Sequence, residues 1–488
     1  MHSKFGSDFS WFPLFLALFG IAFLFLVTPH GLGLFPDSVA YIQSSKTLLE
    51  HGSLEKLAFW PPGYPSLIAV FAIFQHDYLF AARLLGVILF GLNLFLFSSI
   101  LIKCGWSNLF AGLLTTTLLF DHDFLYLHMA ALSEPLFLTT LLGGMLALLN
   151  YDNTKSKKWL IALGLIFGMA AIVRYAGVAF ILGVALALFL QCMRQKNSER
   201  FLQRVLPTIQ FLAIAVFPIF IWVVKKSLDS GKIGLRESIF HPVNALKWHE
   251  GLDTFASWFG GIGAAGFLLT LAAIFLIVGR KNMSTGAKRF VMFSGCIIFT
   301  YLIFIFLTLL YFDAAILLDF RILSPVKLLI YMSIIVSMQA IPPKWRLLEV
   351  GVFCALVLTL NYSAAREVIS NSSLHGFAFA QVELKNMPIL AFIRENHIEL
   401  DATNSPELAS LYLNQEVPML PASYTWITGL PLADQPAKLR ELSRPRNTVV
   451  IFSALLWRDY LPKQQQLMDM GFTNIVYQQP DGIILQHP

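Results

Sequence analysis

Apolar runs of about 18–25 residues recur along this chain and alternate with short polar joints, and each run is long enough to cross a hydrocarbon core of about 30 Å. The pattern predicts about eleven spans, near 11–28, 78–102, 107–126, 133–150, 158–174, 176–193, 205–224, 259–279, 290–311, 323–341 and 345–363. Each is expected to be helical, because a segment alone in lipid can satisfy its backbone only internally. After about residue 366 the pattern changes. Residues 380–396 read as helical, and Pro406 to Leu413 reads as a short helix behind an Asn404-Ser405 cap. Asn447 to Ser453 reads as a buried strand, 457–470 as a helix ending at Gly471, and two strands flank Pro480-Asp481-Gly482. The expected fold is a polytopic α-helical membrane protein over 1–365, with a small C-terminal extracytoplasmic α/β domain over 366–488.

Composition agrees with a membrane chain. Of 488 residues, 57% are hydrophobic and 13% charged, where a soluble domain carries about a quarter charged. One alternate set of joints holds Lys103, Lys155, Lys157, Lys158, Arg194, Lys196, Arg200, Arg204, Arg280, Lys281, Lys288, Arg289, Lys344 and Arg346. The excess of positive charge makes this side cytoplasmic, with the N-terminus inside and the C-terminus outside. Lys225, Lys226, Lys232 and Arg236, in a longer loop, run against the rule. The first span reads as a retained signal anchor, because no small-residue cleavage site precedes Asp37. The net charge of +6 is therefore topology, and no basic tract interleaved with aromatics points to nucleic acid. The four cysteines fall in or beside spans or at the cytoplasmic edge, which argues against a disulfide framework.

Candidate chemistry gathers on the outer side. The loop 29–77 opens with Asp37 and closes with Trp60-Pro61-Pro62-Gly63-Tyr64-Pro65, with an amphipathic run ending at His51-Gly52 between them. Asp37 reads equally as a helix N-cap and as a general base at the membrane surface. Glu134, at the outer start of the fourth span, is either helix-start chemistry beside Pro135 or a functional acid entering the bilayer. Arg83, Arg174 and Arg321 stand at outer span ends, away from the side where topology places cations. They either pair with acids, snorkel to lipid, or bind a lipid-linked phosphate. Asp121-His122-Asp123 spells a D-x-D that would make Asp121 and Asp123 metal ligands; otherwise it is loop polarity. Gly261 to Gly266 fits G-x-G-x-x-G without the strand that a dinucleotide site needs, and Gly164-x-x-x-Gly168 reads as helix packing.

With these residues placed, the chain resembles the GT-C superfamily of integral-membrane glycosyltransferases, in the bacterial branch related to protein O-mannosyltransferases and aminoarabinose transferases. The resemblance rests on Asp37 with Tyr41, Gly52, Pro61-Pro62-Gly63-Tyr64-Pro65, Ala82-Arg83-Leu84-Leu85 and Ser133-Glu134-Pro135. It continues through Gly168 to Arg174-Tyr175, Asp319-Phe320-Arg321-Ile322-Leu323-Ser324-Pro325, Thr403 to Pro406 and Leu411-Tyr412-Leu413. Ser38 stands where many relatives have a second acid, Trp60 where the aminoarabinose branch has lysine, and Phe320 where tyrosine is usual. The resemblance implies transfer of a sugar from a polyprenyl phosphate to a lipid, glycan or protein acceptor at the outer face of a bacterial cytoplasmic membrane. It implies Asp37 as base for inverting displacement, with Arg83, Glu134, Arg174, Tyr175 and Arg321 toward the donor phosphate. Tyr41, Trp60 and Tyr64 are then expected on the acceptor loop. A divalent metal is an open cofactor, no organic cofactor is expected, and the partners are the lipid-linked sugar, membrane lipids and the acceptor. Two rival readings fit the hydropathy: a transporter or lipid flippase, and a surface polysaccharide polymerase or ligase. Ionisable residues grouped at one face, and not at the midplane, favour the enzyme over the transporter.

Overall fold

A computed structural model of the protein describes residues 11–53, 60–194, 201–230, 238–243, 245–261, 266, 281–425 and 430–488. The expected span 259–279 lies almost wholly outside the described residues, as do Lys196, Arg200, Lys232, Arg236, Arg280 and the centre of the Gly261–Gly266 motif.

The membrane part is built of helices α1 (Trp11–Val27), α2 (Pro36–His51), α3 (Gly63–Ala72), α4 (Tyr78–Lys103), α5 (Asn108–Thr116), α6 (His122–His128) and α7 (Glu134–Thr154). They are followed by α8 (Lys157–Val173), α9 (Gly177–Arg194), α10 (Phe201–Ser230), α11 (Ala245–Ser257), α12 (Thr285–Tyr311), α13 (Ser324–Ser337) and α14 (Arg346–Leu374). Among the described residues, five helices are long and apolar enough to cross a membrane: Tyr78–Lys103, Gly177–Arg194, Phe201–Leu228, Thr285–Tyr311 and Pro343–Leu374. The chain is an integral membrane protein.

One expected span is broken. Instead of a single helix over 107–126, α5 tightens into a 3-10 turn at Thr117–Leu119 and stops at Phe120. Asp121 then takes an extended conformation, and its carboxylate accepts the Phe124 amide at 2.8 Å, starting α6 afresh. A short side chain that caps a helix competes with continuing one, so apolarity alone misread this stretch.

Helices α1, α4, α7 and α8 pack in succession, α8 lies on α10, and α9 lies on α12. The α8–α10 contact explains Gly164 and Gly168. A Cβ at the first would lie 2.7 Å from Ile214, and at the second 2.8 Å from the Ala215 carbonyl. Small residues let the two backbones approach. Both ends of α7 carry a buried carboxylate held by cations. Glu134 opens the helix, and about 30 Å away Asp152 is held by Lys155 at 2.7 Å and by Arg289.

Beyond α14 the chain forms a four-stranded sheet of β1 (Ala402–Thr403), β2 (Thr448–Phe452), β3 (Asn474–Gln479) and β4 (Gly482–Gln486), in the order β1-β2-β4-β3. β1 pairs parallel with β2, and the other pairs are antiparallel. Two expected helices are shorter than read. The stretch 380–396 splits into Val382–Lys385 and Pro388–Glu395, because Met387 before Pro388 is extended. The stretch 457–470 is helical only over Gln464–Asp469, after Pro462 and after Arg458 has turned inward to Glu407 at 2.8 Å.

Candidate active site

Helix α2 begins with Phe35 at the cap and Pro36 at the first position, whose fixed φ suits a helix start. Ser38 Oγ accepts the Phe35 amide at 3.0 Å and closes the first turn. Asp37 is therefore not the cap. It sits in the first turn, where the helix dipole favours a carboxylate, and Oδ2 accepts from Arg321 Nη2 at 3.1 Å. The far end of α2 stops at Gly52, whose φ of +67° is the left-handed conformation that glycine adopts freely.

Arg321 is presented by a local turn. Asp319 Oδ1 accepts the amides of Arg321 at 3.0 Å and Ile322 at 3.1 Å, and the turn runs directly into α13. From there the guanidinium reaches Glu134 Oε1 through Nε at 3.1 Å and Nη2 at 3.0 Å. Arg174, at the end of α8, approaches the same Oε1 at 2.9 Å and donates to Ser133 Oγ at 3.1 Å. Residues 37, 134, 174 and 321, from four separate elements, thus form one ion cluster. Its members differ in access: the Glu134 side chain is 1% exposed, Arg174 20%, Arg321 25% and Asp37 32%. Glu134 is the buried counter-ion of two cations, while Asp37 faces outward on the rim.

Burial opposes the charge on Arg321, yet Glu134 and then Asp37 hold the guanidinium well above its usual range. Burial pushes the Asp319 carboxyl up, against the amides of Ile322 and Arg321 that pull it down. Burial, then the Asp37 charge, push the Tyr41 phenol up, which keeps it neutral.

The D-x-D carboxylates meet a cation of the chain's own. Lys327 Nζ, one and a half turns beyond Arg321, lies 2.8 Å from Asp121 Oδ2 and 2.8 Å from Asp123 Oδ2. His122 Nδ1 is 2.9 Å from Asp123 Oδ1, and Asp121 is also the cap of α6. A divalent ion here would have to displace the ammonium, so the pair does not fit a metal. Among the described residues, no group of three or more His, Cys, Asp or Glu side chains is placed to hold one. The cluster instead pins α6 to α13. Lys327→Met leaves two carboxylates together with no cation between them, a loss of about 3–5 kcal/mol for a broken buried pair. The expected result is a clearly lower unfolding midpoint in detergent, and an unchanged midpoint would show that the bridge holds nothing.

The remaining sequence candidates fall elsewhere. Arg83 is not brought to the cluster: it donates to the Phe25 carbonyl at 2.7 Å and lies over the Phe25 ring at 4.1 Å, tying α4 to α1. Tyr175 accepts from Trp222 Nε1 at 3.3 Å and braces α10. Tyr41 and Tyr64 are buried and meet edge to face at 5.3 Å, so they offer no surface to an acceptor; the Tyr41 hydroxyl, 3.4 Å from Ser133 Oγ, instead backs the ion cluster from within. Trp60 packs edge to face on Tyr41 at 6.0 Å. Ser45 Oγ, 2.7 Å from the Tyr41 carbonyl and 2.8 Å from that of Pro65, joins α2 to the proline turn. Lys327 is not singled out from sequence, and Ser133 enters there only within the Ser133-Glu134-Pro135 motif. Lys327 had a signal, an ammonium near the start of an apolar span; Ser133 had none beyond its position next to Glu134.

Known structures share the fold that carries this cluster. ArnT from Cupriavidus metallidurans, solved with undecaprenyl phosphate bound, superposes with a TM-score of 0.63 over 97% of this chain and 98% of its own, at 12% identity. Its apo state gives 0.64 over 97% of each chain. The fold is that of the GT-C glycosyltransferases. The mycobacterial arabinofuranosyltransferase AftD also matches, at a TM-score of 0.51 and 12% identity, over 99% of this chain and 40% of its own. Residues 36–230 match the family model described as dolichyl-phosphate-mannose-protein mannosyltransferase. That stretch contains Asp37, Glu134 and Arg174 of the cluster, and Arg321 joins them from outside it. No curated protein is a significant match in sequence.

Proposed function

We propose that this protein moves a sugar from a polyprenyl-phosphate donor to a hydroxyl of a lipid, glycan or protein acceptor, with inversion, at the outer face of a bacterial cytoplasmic membrane. The observation that carries the reading is the shared Arg321: one guanidinium joins the rim carboxylate Asp37 to the buried Glu134. In a single displacement the acceptor oxygen attacks the anomeric carbon as the bond from that carbon to the phosphate oxygen breaks. Asp37 takes the hydroxyl proton, and the electron pair leaves on the phosphate. A phosphate leaving group needs charge stabilisation more than a proton, and Arg321 with Arg174 supplies fixed cations for it. Glu134 keeps both guanidiniums charged and oriented. In this reading the expected extracytoplasmic α/β domain over 366–488 is the chain beyond α14, with 366–374 completing that helix.

The test is incubation of membranes containing the protein with radiolabelled polyprenyl-phosphate hexoses and pentoses, a mannosyl donor first. Expected are a labelled acceptor and release of the polyprenyl monophosphate. Label that crosses the bilayer still attached to its lipid would establish a flippase instead. Release of pyrophosphate from an oligosaccharide donor would establish a polymerase. Because Lys327 occupies the D-x-D, transfer is expected to persist at full rate in EDTA; loss on chelation, restored by a divalent ion, would contradict that assignment.

A further inference from the structure

The start of α2 is held by more than its own first turn. Residues 33 and 34 run extended between two other segments. On one side Gly33 donates to the Met129 carbonyl at 2.7 Å and accepts the Ala131 amide at 2.9 Å. On the other, the Leu34 carbonyl accepts the Phe379 amide at 2.9 Å. The first neighbour leads within three residues to Glu134. The second belongs to the connector that follows α14, where Gly376 and Ala378 both have positive φ, at +78° and +51°. Glycine adopts such backbone freely, but at Ala378 it persists only where the surroundings impose it.

The connector also supplies a wedge. The Phe377 ring meets Phe35 edge-on at 5.6 Å and Tyr126 at 4.7 Å, and Tyr126 meets Phe320 at 5.0 Å. Phe35 lies two residues before Asp37, and Phe320 directly before Arg321. A Cβ on Gly33 would fall 2.4 Å from Phe377 Cδ1, so the glycine is required by the ring above it. Behind the connector, the Tyr412 hydroxyl donates to the Phe379 carbonyl, and Ser410 Oγ accepts from Gln43 Nε2 of α2 at 2.5 Å. Apart from the Tyr126–Phe320 pair, each of these contacts involves the chain after α14.

We infer that Phe377–Phe379, backed by Tyr412, is a positioning strap through which the C-terminal part of the chain sets the place of Asp37 against Arg321. Phe377 and Tyr412 are positioning residues; neither touches the ion cluster. The inference rests on Asp37 acting as the base. A misplacement of about 1 Å at a reacting group costs on the order of a hundredfold in rate. Loosening the strap therefore lowers kcat and leaves donor binding, which the arginines provide, nearly intact.

The experiment compares full-length wild type, Phe377→Ala and the milder Tyr412→Phe, purified in lipid nanodiscs, with Asp37→Asn as the inactive control. Expected are a kcat lower by about ten- to a hundredfold for Phe377→Ala and a smaller fall for Tyr412→Phe, with the donor KM within about twofold in both. Hydrogen exchange supplies a readout that needs no activity. The peptide covering residues 33–39 should exchange faster in both variants, while α4 stays as protected as in wild type. An unchanged kcat, or a KM rise without a kcat fall, overturns the strap. So does unchanged exchange at 33–39. Should wild type transfer no sugar, the functional reading fails, and the exchange data alone still decide whether the strap holds α2.

Discussion

Asp37→Asn lowers kcat for sugar transfer by about 10²–10⁴-fold, the contribution a positioned general base makes, while the protein stays folded. Asparagine keeps the shape of the side chain, and its Oδ1 still accepts from Arg321 Nη2. What it loses is the ability to take the acceptor proton. Stability is spared because Asp37 is a rim residue, 32% exposed, and a partly solvated pair contributes about 0–1 kcal/mol. Arg321 also retains Glu134 as its buried partner. Turnover by the purified variant, normalised to folded protein, is the measurement. A kcat within a few-fold of wild type would leave Asp37 as nothing more than a counter-ion at the start of α2.

Glu134→Gln has the opposite profile, with the larger effect on folding. One oxygen of Glu134 receives Nε and Nη2 of Arg321 and Nη1 of Arg174, and the side chain is 1% exposed. Removing its charge leaves two guanidiniums facing each other with Asp37 and, more weakly, Asp319 as the acids near Arg321. Breaking a buried pair costs about 3–5 kcal/mol, a large part of a net stability of about 5–15 kcal/mol. The expected outcome is little folded protein in the membrane, a much lower unfolding midpoint in detergent, and no transfer from the surviving fraction. A midpoint equal to wild type would show that the arginines do not depend on Glu134 for their charge or place.

Much of this site was legible in the sequence because topology made its residues anomalous. Arg174 and Arg321 are cations on the side that the positive-inside rule leaves poor in them, and Glu134 is an acid entering a span. Those are signals of charge out of place, and the structure brings all three together with Asp37. Arg83 carried the same signal and came to a different end, because a long side chain at a span terminus is equally served by a carbonyl and an aromatic face within reach. Sequence could not separate the two outcomes, since the difference lies in which helix packs alongside. Tyr41 and Tyr64 were read as facing an acceptor because they lie in an outer loop. That loop folds into two helices, α2 and α3, packed onto the main core, and the tyrosines are buried in it.

The broken span at 107–126 and the Lys327 bridge are one miss seen twice. Asp121 was weighed as a metal ligand and not as a cap, and Lys327 sat unremarked within an apolar run, so neither revealed the other. Their pairing is 206 residues apart in sequence. The strap after α14 was illegible for a similar reason: its bonds are backbone bonds, and Phe377 or Tyr412 looks like any other aromatic residue in a chain where 14% are aromatic. By contrast the strands 448–452 and 482–486 were readable, because alternation is replaced there by short β-branched apolar runs bounded by turn residues.

The anomeric configuration of the transferred sugar tests most directly whether Asp37 and the two arginines act in a single displacement. A donor of known anomeric configuration is turned over by the purified protein, and the linkage in the product is assigned by the proton coupling of the anomeric centre before any chemical equilibration. One carboxylate taking the acceptor proton in the same step as the phosphate departs predicts complete inversion. Retention would contradict it, because two successive displacements would require a nucleophile on the face that Asp37 and the acceptor are here assigned to share.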